Sequence, residues 1–459
     1  MTTIPCPRVH HSGARTPNPK ALPSVALVGL TIALSAALSK AADLPVRSSP
    51  DALEAGASDP TGELTLRTAL GLALARSPAL QSFSWEIRAR DARLLQAGRL
   101  PNPQLHTEIE NVGGSGSRQA FEDTETTVRL SQLIELGGKR GKRQRLAELG
   151  TTLATWDYEA KRLHVLSETS KAFIQVLGAQ ERVDLARELA RLADEAVHAV
   201  DSRVAAGGAS PVESTRAKVS LAKAELEKSR TEQELVAARS ALAASWGSTR
   251  PTFTRVVGDL TRVGPPPSEE ELFRRLEANP DLARWETELD ERRAALSLEQ
   301  AGRVPDVTVG AGGRHFSDNG DNALVLELSV PLPVFNRNDG AIAEAEHRLS
   351  KARADRSAAY VAAHAALSTA AARLAAAYDQ ARRLRTHVLP QAKSSLDGAL
   401  DAYRKGLFRS VDVLDAQRTL FELRGDYLAS LESYHLLGAD VERLTATPLT
   451  DDETDGGAR

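Results

Sequence analysis

Sulfur is nearly absent from this chain. Its 459 residues include one cysteine, Cys6, and one methionine, Met1. Both precede the apolar run ALPSVALVGLTIALSAALS, and no acid occurs before Asp43, whereas Arg8, Arg15 and Lys20 come early. With small residues at Ser39 and Ala41, this is the pattern of an export signal, residues 1–41. A single anchoring helix is the other reading, but the run is short for a span and Pro23 sits near its start. Cutting after Ala41 leaves neither thiol nor thioether, which excludes disulfides, cysteine-based metal centres and a lipid-bearing cysteine. Aromatic residues are only 4% of the chain against an apolar fraction of 42%. Much of that fraction is alanine, the best helix former and one that lets helices approach closely. The formal charge is −3, and −7 once the four basic residues of the leader are gone. No basic field is left to attract nucleic acid. Beyond residue 41 there is no run of 18 apolar residues, so any membrane crossing there must be made by strands.

What is present is a duplication. SPALQSFSWE from Ser77 aligns with NPDLARWETE from Asn279, AGRLP from Ala97 with AGRVP from Ala301, and RLSQLIE from Arg129 with ELSVPLP from Glu327. AAGGASPVES from Ala205 aligns more loosely with RKGLFRSVDV from Arg404. The offsets are 202, 204, 198 and about 199. The expected organisation is a first repeat over 62–254, a linker over 255–267 containing GPPPS, a second repeat over 264–447 and a disordered tail over 448–459. Ser77-Pro78 and Asn279-Pro280 read as helix starts, a capping residue before a proline. Each repeat then predicts a helix, two strands, a long helix, a glycine turn and a returning helix. The segment from Lys139 to Ala206 has no proline, and its helix would extend roughly 100 Å. Trp156, Leu163, Leu166, Phe173 and Leu177, then Leu185, Leu189, Leu192 and Ala196, have coiled-coil spacing. Pro390 predicts a kink in the second repeat.

The strands alternate. Leu105, Thr107 and Ile109 oppose His106, Glu108 and Glu110, and Thr126, Val128 and Leu130 oppose Thr127, Arg129 and Ser131. Val307, Val309 and Ala311 share a face, and Leu324, Leu326, Leu328 and Val330 oppose Val325, Glu327 and Ser329. GGSGSRQAFED and GRHFSDNGD read as the loops within each pair. A period of two with one apolar and one charged face fits a membrane barrel, and His106, Glu108, Glu110, Arg129 and Glu327 are its candidate lumen residues. A soluble half-buried sheet is the alternative. Four strands cannot close a barrel, and an open edge cannot lie in lipid, so several copies would share one: eight strands from two, twelve from three. No catalytic constellation emerges, no pair of histidines has metal-ligand spacing, and no cofactor is implied.

LSQLIELGGKRGKR, WDYEAKRL and VPLPVFNRNDGAIAEAE resemble the heavy-metal (CzcC/CusC-like) branch of the TolC family of outer-membrane efflux channels, and YRKGLFRSVDVLDAQRTL resembles that family's periplasmic tip. The resemblance spans nearly all of the chain beyond the leader. It implies a mainly helical fold with a small β part. Long antiparallel helices form a periplasmic tunnel, and four strands per chain enter a shared barrel in a homotrimer. It implies outer-membrane location and two partners, a periplasmic adaptor and an inner-membrane RND pump. It carries the family's constricting acidic ring onto Asp412 and Asp415, and adaptor contact onto the tips Gly207, Ser210, Gly406 and Ser410. Helix capping is the alternative for Asp412, and chain reversal alone accounts for the glycines. The function expected is passive export of cobalt, zinc or cadmium. A sulfur-free duct suits these ions better than Cu(I). An exit duct for organic drugs is the alternative, and a periplasmic adaptor fits less well because the helical hairpin occurs twice.

Overall fold

The computed structural model describes residues 59–118 and 123–449. The expected leader, 1–41, and all but the first two residues of the expected tail lie outside them.

Each repeat begins with a short helix. In the first, α1 (Leu66–Arg76) leads to α2 (Pro78–Ala97), and in the second α5 (Glu269–Leu276) leads to α6 (Pro280–Ala301). Asn279 caps α6 as expected, its side chain accepting from the Asp281 N–H at 2.8 Å. Ser77 is buried and makes no side-chain cap, so the start of α2 rests on Pro78 alone.

The long helix of the first repeat, α3 (Lys139–Ala205), runs without interruption for 67 residues and returns as α4 (Pro211–Ala244). Leu163, Leu166, Phe173 and Leu177 are buried along it. Farther on, the buried seam differs from the expected one. Val183, Ala186, Ala193, Val197 and Val200 face inward, and Leu185, Leu189, Leu192 and Ala196 are half-buried at its flanks. Valine and alanine, shorter than leucine, take the centre because they let α4 come close, and the leucines cover the edges.

In the second repeat the helix is in three parts: α7 (Asp339–Arg383), a π-helical turn (Leu384–Val388) and α8 (Leu389–Arg404). Pro390 sits in the first turn of α8. Having no N–H and a ring that crowds the carbonyl four residues back, it ends the regular ladder, and the wider turn before it absorbs the misfit. The returning helix is α9 (Ser410–Thr445).

Two sheets form. A small parallel pair joins β1 (Gly62–Thr65) to β4 (Phe253–Val257), spanning the boundary expected at 254. Strands of four and five residues are too short for a period to be read from sequence. This pair sits in the main apolar core with Leu70, Leu166, Phe173, Leu242, Trp246 and Leu431. Gln180 of α3 clasps it, accepting from the Val256 N–H at 2.8 Å and donating to the Val256 carbonyl at 3.0 Å. Near the end of α9, Glu442 is buried and accepts from the Leu449 N–H at 3.1 Å, and burial pushes its carboxyl up to about 8.

The larger sheet has β2 (Gln104–Glu110), β3 (Glu125–Ile134), β5 (Val307–Phe316) and β6 (Asn322–Ser329) in that order, each pair antiparallel. The expected second loop is shorter than its sequence suggested, because β5 continues through Arg314 and Phe316. Among the described residues no helix is long and apolar enough to cross a membrane.

Candidate functional site

The register of the larger sheet sorts its side chains cleanly. Leu105 lies opposite Leu130, Leu130 opposite Ala311 and Ala311 opposite Leu326, so one apolar row crosses all four strands. A second row runs Thr107, Val128, Gly313 and Leu324. This face is bare: Leu105, Leu324, Leu326 and Leu328 are each more than 70% exposed.

The opposite face carries the charges. His106 pairs in register with Arg129, and Gly310 with Glu327. Arg129 lies between two carboxylates, with Nε 3.1 Å from Glu327 and Nη1 3.7 Å from Glu108. His106 Nε2 is 3.9 Å from Glu108. Gly312 makes this possible, since a Cβ there would come 2.6 Å from Arg129 Cβ. The five residues expected on this face are thus on it together.

Arg314, which fell in an expected loop, completes it. Its guanidinium donates to Glu125 at 2.7 Å and to Thr127 Oγ1 at 2.8 Å, and lies 3.2 Å from Glu110. The signal was present in sequence: Thr308, Gly310, Gly312 and Arg314 keep one phase. The face therefore holds four carboxylates and two guanidinium groups, so it is negative yet internally paired.

Where the sheet meets the helices, αL residues turn the chain, Gly137 and Gly138 in one repeat and Asn338 in the other. The junctions are locked across repeats. Asp306 accepts from the Leu136 N–H at 3.0 Å and from Lys139 Nζ at 2.8 Å. Burial opposes ionisation of Asp306, but Lys139 and the Leu136 N–H outweigh it and hold the carboxyl below its usual range.

At the far end the two hairpin turns lie side by side. Gly207 and Gly406 each have a φ of +74°, the left-handed conformation that ends a helix. Ser210 caps α4, accepting from the Val212 N–H at 3.3 Å. Ser410 is buried and donates to Glu213 of the other turn at 2.5 Å, and Arg203 stacks over Tyr403, 4.7 Å from the ring centre. Neither cross-link was visible in sequence, because each depends on how the hairpins pair. Asp412 caps its own helix, accepting from the Arg409 N–H at 2.9 Å. Asp415 pairs with Arg418 at 2.7 Å, one turn along. Within one copy both carboxylates thus have partners. Among the described residues no group of three or more His, Cys, Asp or Glu side chains is placed to hold a metal ion.

A family model described as outer membrane efflux protein matches residues 69–248 and 274–442, one stretch in each repeat. The cobalt-zinc-cadmium resistance protein CzcC of Cupriavidus metallidurans is 34% identical over 383 residues, which is 83% of this chain and 90% of CzcC. The nickel-cobalt-cadmium resistance protein NccC of Alcaligenes xylosoxydans xylosoxydans is 25% identical over 303 residues, 66% of this chain and 68% of NccC. The fold is similar to that of a membrane protein from Pseudomonas aeruginosa, with a TM-score of 0.72 at 22% identity, covering 83% of this chain and 93% of that one. It is also similar to CusC, with a TM-score of 0.70 at 17% identity, covering 83% and 91%.

Proposed function

Because the chain belongs to the outer membrane efflux protein family, we propose that it is the outer-membrane channel of a tripartite, RND-type exporter of heavy-metal cations such as cobalt, zinc or cadmium. The likeness to CzcC over most of both chains supports the cargo. The two-faced sheet supports the route. Its apolar face suits lipid, its charged face suits water, and among the described residues both of its edges are unpaired in one copy. Three copies in a ring would give a closed barrel of twelve strands. The helices would continue that ring as a tunnel through the periplasm.

In this reading His106, Glu108, Glu110, Arg129 and Glu327, joined by Glu125 and Arg314, line the lumen. Their excess of carboxylate favours cations, while the arginines hold those carboxylates in place and keep any one ion from binding tightly. A duct needs that compromise between entry and release. Asp412 and Asp415 form a periplasmic gate, two stacked rings of carboxylates, each weakened by Arg409 and Arg418 nearby. Gly207, Ser210, Gly406 and Ser410 hold the turns that meet a periplasmic adaptor, and beyond it the inner-membrane pump.

The test is metal retention in cells that express the cognate pump and adaptor with or without this chain. Lower cobalt, zinc or cadmium content with the chain is the expected result. Unchanged metal together with lower retention of organic dyes would replace metal cations by drugs as the cargo.

A further inference from the structure

The two strand-to-helix junctions share a plan but differ in charge. Helices α3 and α7 open on aligned segments, GKRGKRQRLAELG from Gly138 and NDGAIAEAEHRLS from Asn338. In their first two turns α3 has five basic residues and no acid, whereas α7 has no basic residue and two acids, Asp339 and Glu344. The helices before them both end on AGR, but one turn earlier α6 has Glu299 where α2 has Leu95. In the second junction the acids are used. Arg303 donates to Asp339 at 2.7 Å, and Asn338 donates to Glu299 at 2.8 Å.

In the first junction the matching arginine, Arg99, has lost its anion, because Lys139 stands where the other repeat has Asp339. Lys139, Lys142 and Arg143 are taken up by Asp306, Ser297 and Glu135. The side chains of Arg99 and Arg140 have no partner among the described residues. Arg145 has only Glu148, 2.7 Å away, an exposed pair that opens at little cost. Between the end of α2 and the start of α3 lies an open cleft of about 660 Å³, lined by the polar side chains of Arg99, Gln144, Arg145 and Glu148 and by exposed Leu95. Two glycines keep it open. A Cβ on Gly98 would come 2.6 Å from the Gln144 amide. Gly141 lines the cleft with no atom within 4 Å of where its Cβ would stand, so any side chain there would take up the space. Alanine would be the better helix former at that position, and α7 has it, as Ala341.

We propose that this cleft binds an anionic phosphate group between Arg99 and Arg145. The ligand replaces the missing acid: repeat two supplies Asp339 to its arginine, and repeat one leaves that place to a bound anion. Guanidinium groups fork onto phosphate oxygens, and the Gln144 amide adds a donor. The start of α3 adds attraction, since it has no side-chain cap and no acid in its first turn to satisfy its free N–H groups. Glu148 opposes the anion and turns to solvent when Arg145 changes partners. A phospholipid headgroup of the periplasmic leaflet and free phosphate share this chemistry, and the surroundings favour the lipid. Leu95, Leu100 and Leu105, exposed by 60%, 63% and 71%, lead from the cleft to the apolar face of β2. The lipid source rests on the barrel proposed above, whereas the phosphate site does not.

The test uses the full chain in nonionic detergent. Native mass spectrometry with added phosphatidylglycerol, or with phosphatidylcholine whose headgroup is neutral overall, reads lipid retention. Thermal denaturation in inorganic phosphate, against chloride at equal ionic strength, reads the free anion. Phosphatidylglycerol should be retained about fivefold better than phosphatidylcholine, and about tenfold less by Arg99→Gln combined with Arg145→Gln or by Gly141→Leu. Arg303→Gln, the matching change in the other repeat, should leave retention unchanged. Stabilisation by inorganic phosphate alone, lost in the double variant, keeps the phosphate site and rejects the lipid as its source. Equal retention of the two lipids without a response to phosphate, or a response that survives in the double variant, overturns the site and leaves the channel standing. Binding by a monomer that is lost in the multimer also overturns it, since a neighbouring copy then fills the cleft. A chain that never enters membranes yet answers to inorganic phosphate through Arg99 and Arg145 overturns the channel and keeps the site.

Discussion

The two repeats share a plan but not a core. In the first, Phe173 of α3 is fully buried, and the position 200 residues on is Arg373, which is exposed. In the returning helices the order reverses in character: the first repeat buries Leu242 and Ala243, and the second buries Glu442 at the matching place. The first long helix is continuous, whereas the second is broken by a π turn. The neighbours of each helix explain these differences. Helix α3 lies between α2 and α6 and is packed on both sides, so it carries large apolar side chains. Helix α7 packs against α6 and α9, and its remaining face carries exposed small residues such as Ser350, Ser357, Ala358 and Ala362. Duplication thus preserved the strand-to-helix junction and let burial diverge.

The comparison is broken most directly at its centre. Phe173→Ala should cost about 3–5 kcal/mol by cavity formation, whereas Arg373→Ala should change stability by about 0.5 kcal/mol or less. Thermal denaturation of the two variants in detergent checks this, and equal losses would mean that the repeats are energetically equivalent after all.

The buried acid sharpens it. The fold holds Glu442 neutral, with its carboxyl raised from 4.5 to about 8. The folded state then keeps a proton that the unfolded state has lost, so stability falls as pH rises from 4.5 towards 8, by at most about 1.4 kcal/mol per unit. Glu442→Gln removes that slope. It should match the natural chain near pH 4.5 and exceed it by about 3 kcal/mol at pH 7 in chemical denaturation. Parallel pH profiles for the two proteins would show that Glu442 is ionised in the fold.

Across the sheet the contrast is between faces. Leu326→Arg should impair insertion by about 2–4 kcal/mol if it lies near the bilayer midplane. Glu327→Arg, one residue on, should insert normally and alter single-channel conductance. Equal insertion of both would place lipid on neither face.

The smallest effect belongs to the tip. Asp412→Ala should lose about 1 kcal/mol as a helix cap. Combined with Asp415→Ala it should raise conductance at low salt and relieve block by multivalent cations from the periplasmic side. An assembled double variant with unchanged block would leave Asp412 as a cap only.

Strand faces were legible because a period of two fixes them wherever one side is apolar, and Leu324, Glu327 and Arg129 all lie as that period required. Arg314 was lost because GRHFSDNGD, from Gly313 on, reads as a loop, and a run of glycines before it stays ambiguous until a close approach, here Arg129 across Gly312, demands it. The seam beyond Val183 was misplaced for a related reason. Leucine spacing alone favours Leu185, Leu189 and Leu192, but the depth at which a partner helix sits decides whether leucine or the shorter valine and alanine take the centre.

The sequence by itself determined the duplication, the length of the helices, the two faces of the strands and the need for strands rather than helices in any membrane crossing. These follow from period and composition, which are local. Only the tertiary structure decided that the small pair β1 and β4 anchors the core, that the two tips are tied by Ser410 and Glu213, and that Gln180 of the long helix clasps the β4 backbone. Those depend on which elements become neighbours, and contacts between residues some two hundred positions apart leave no periodic trace in the chain that makes them.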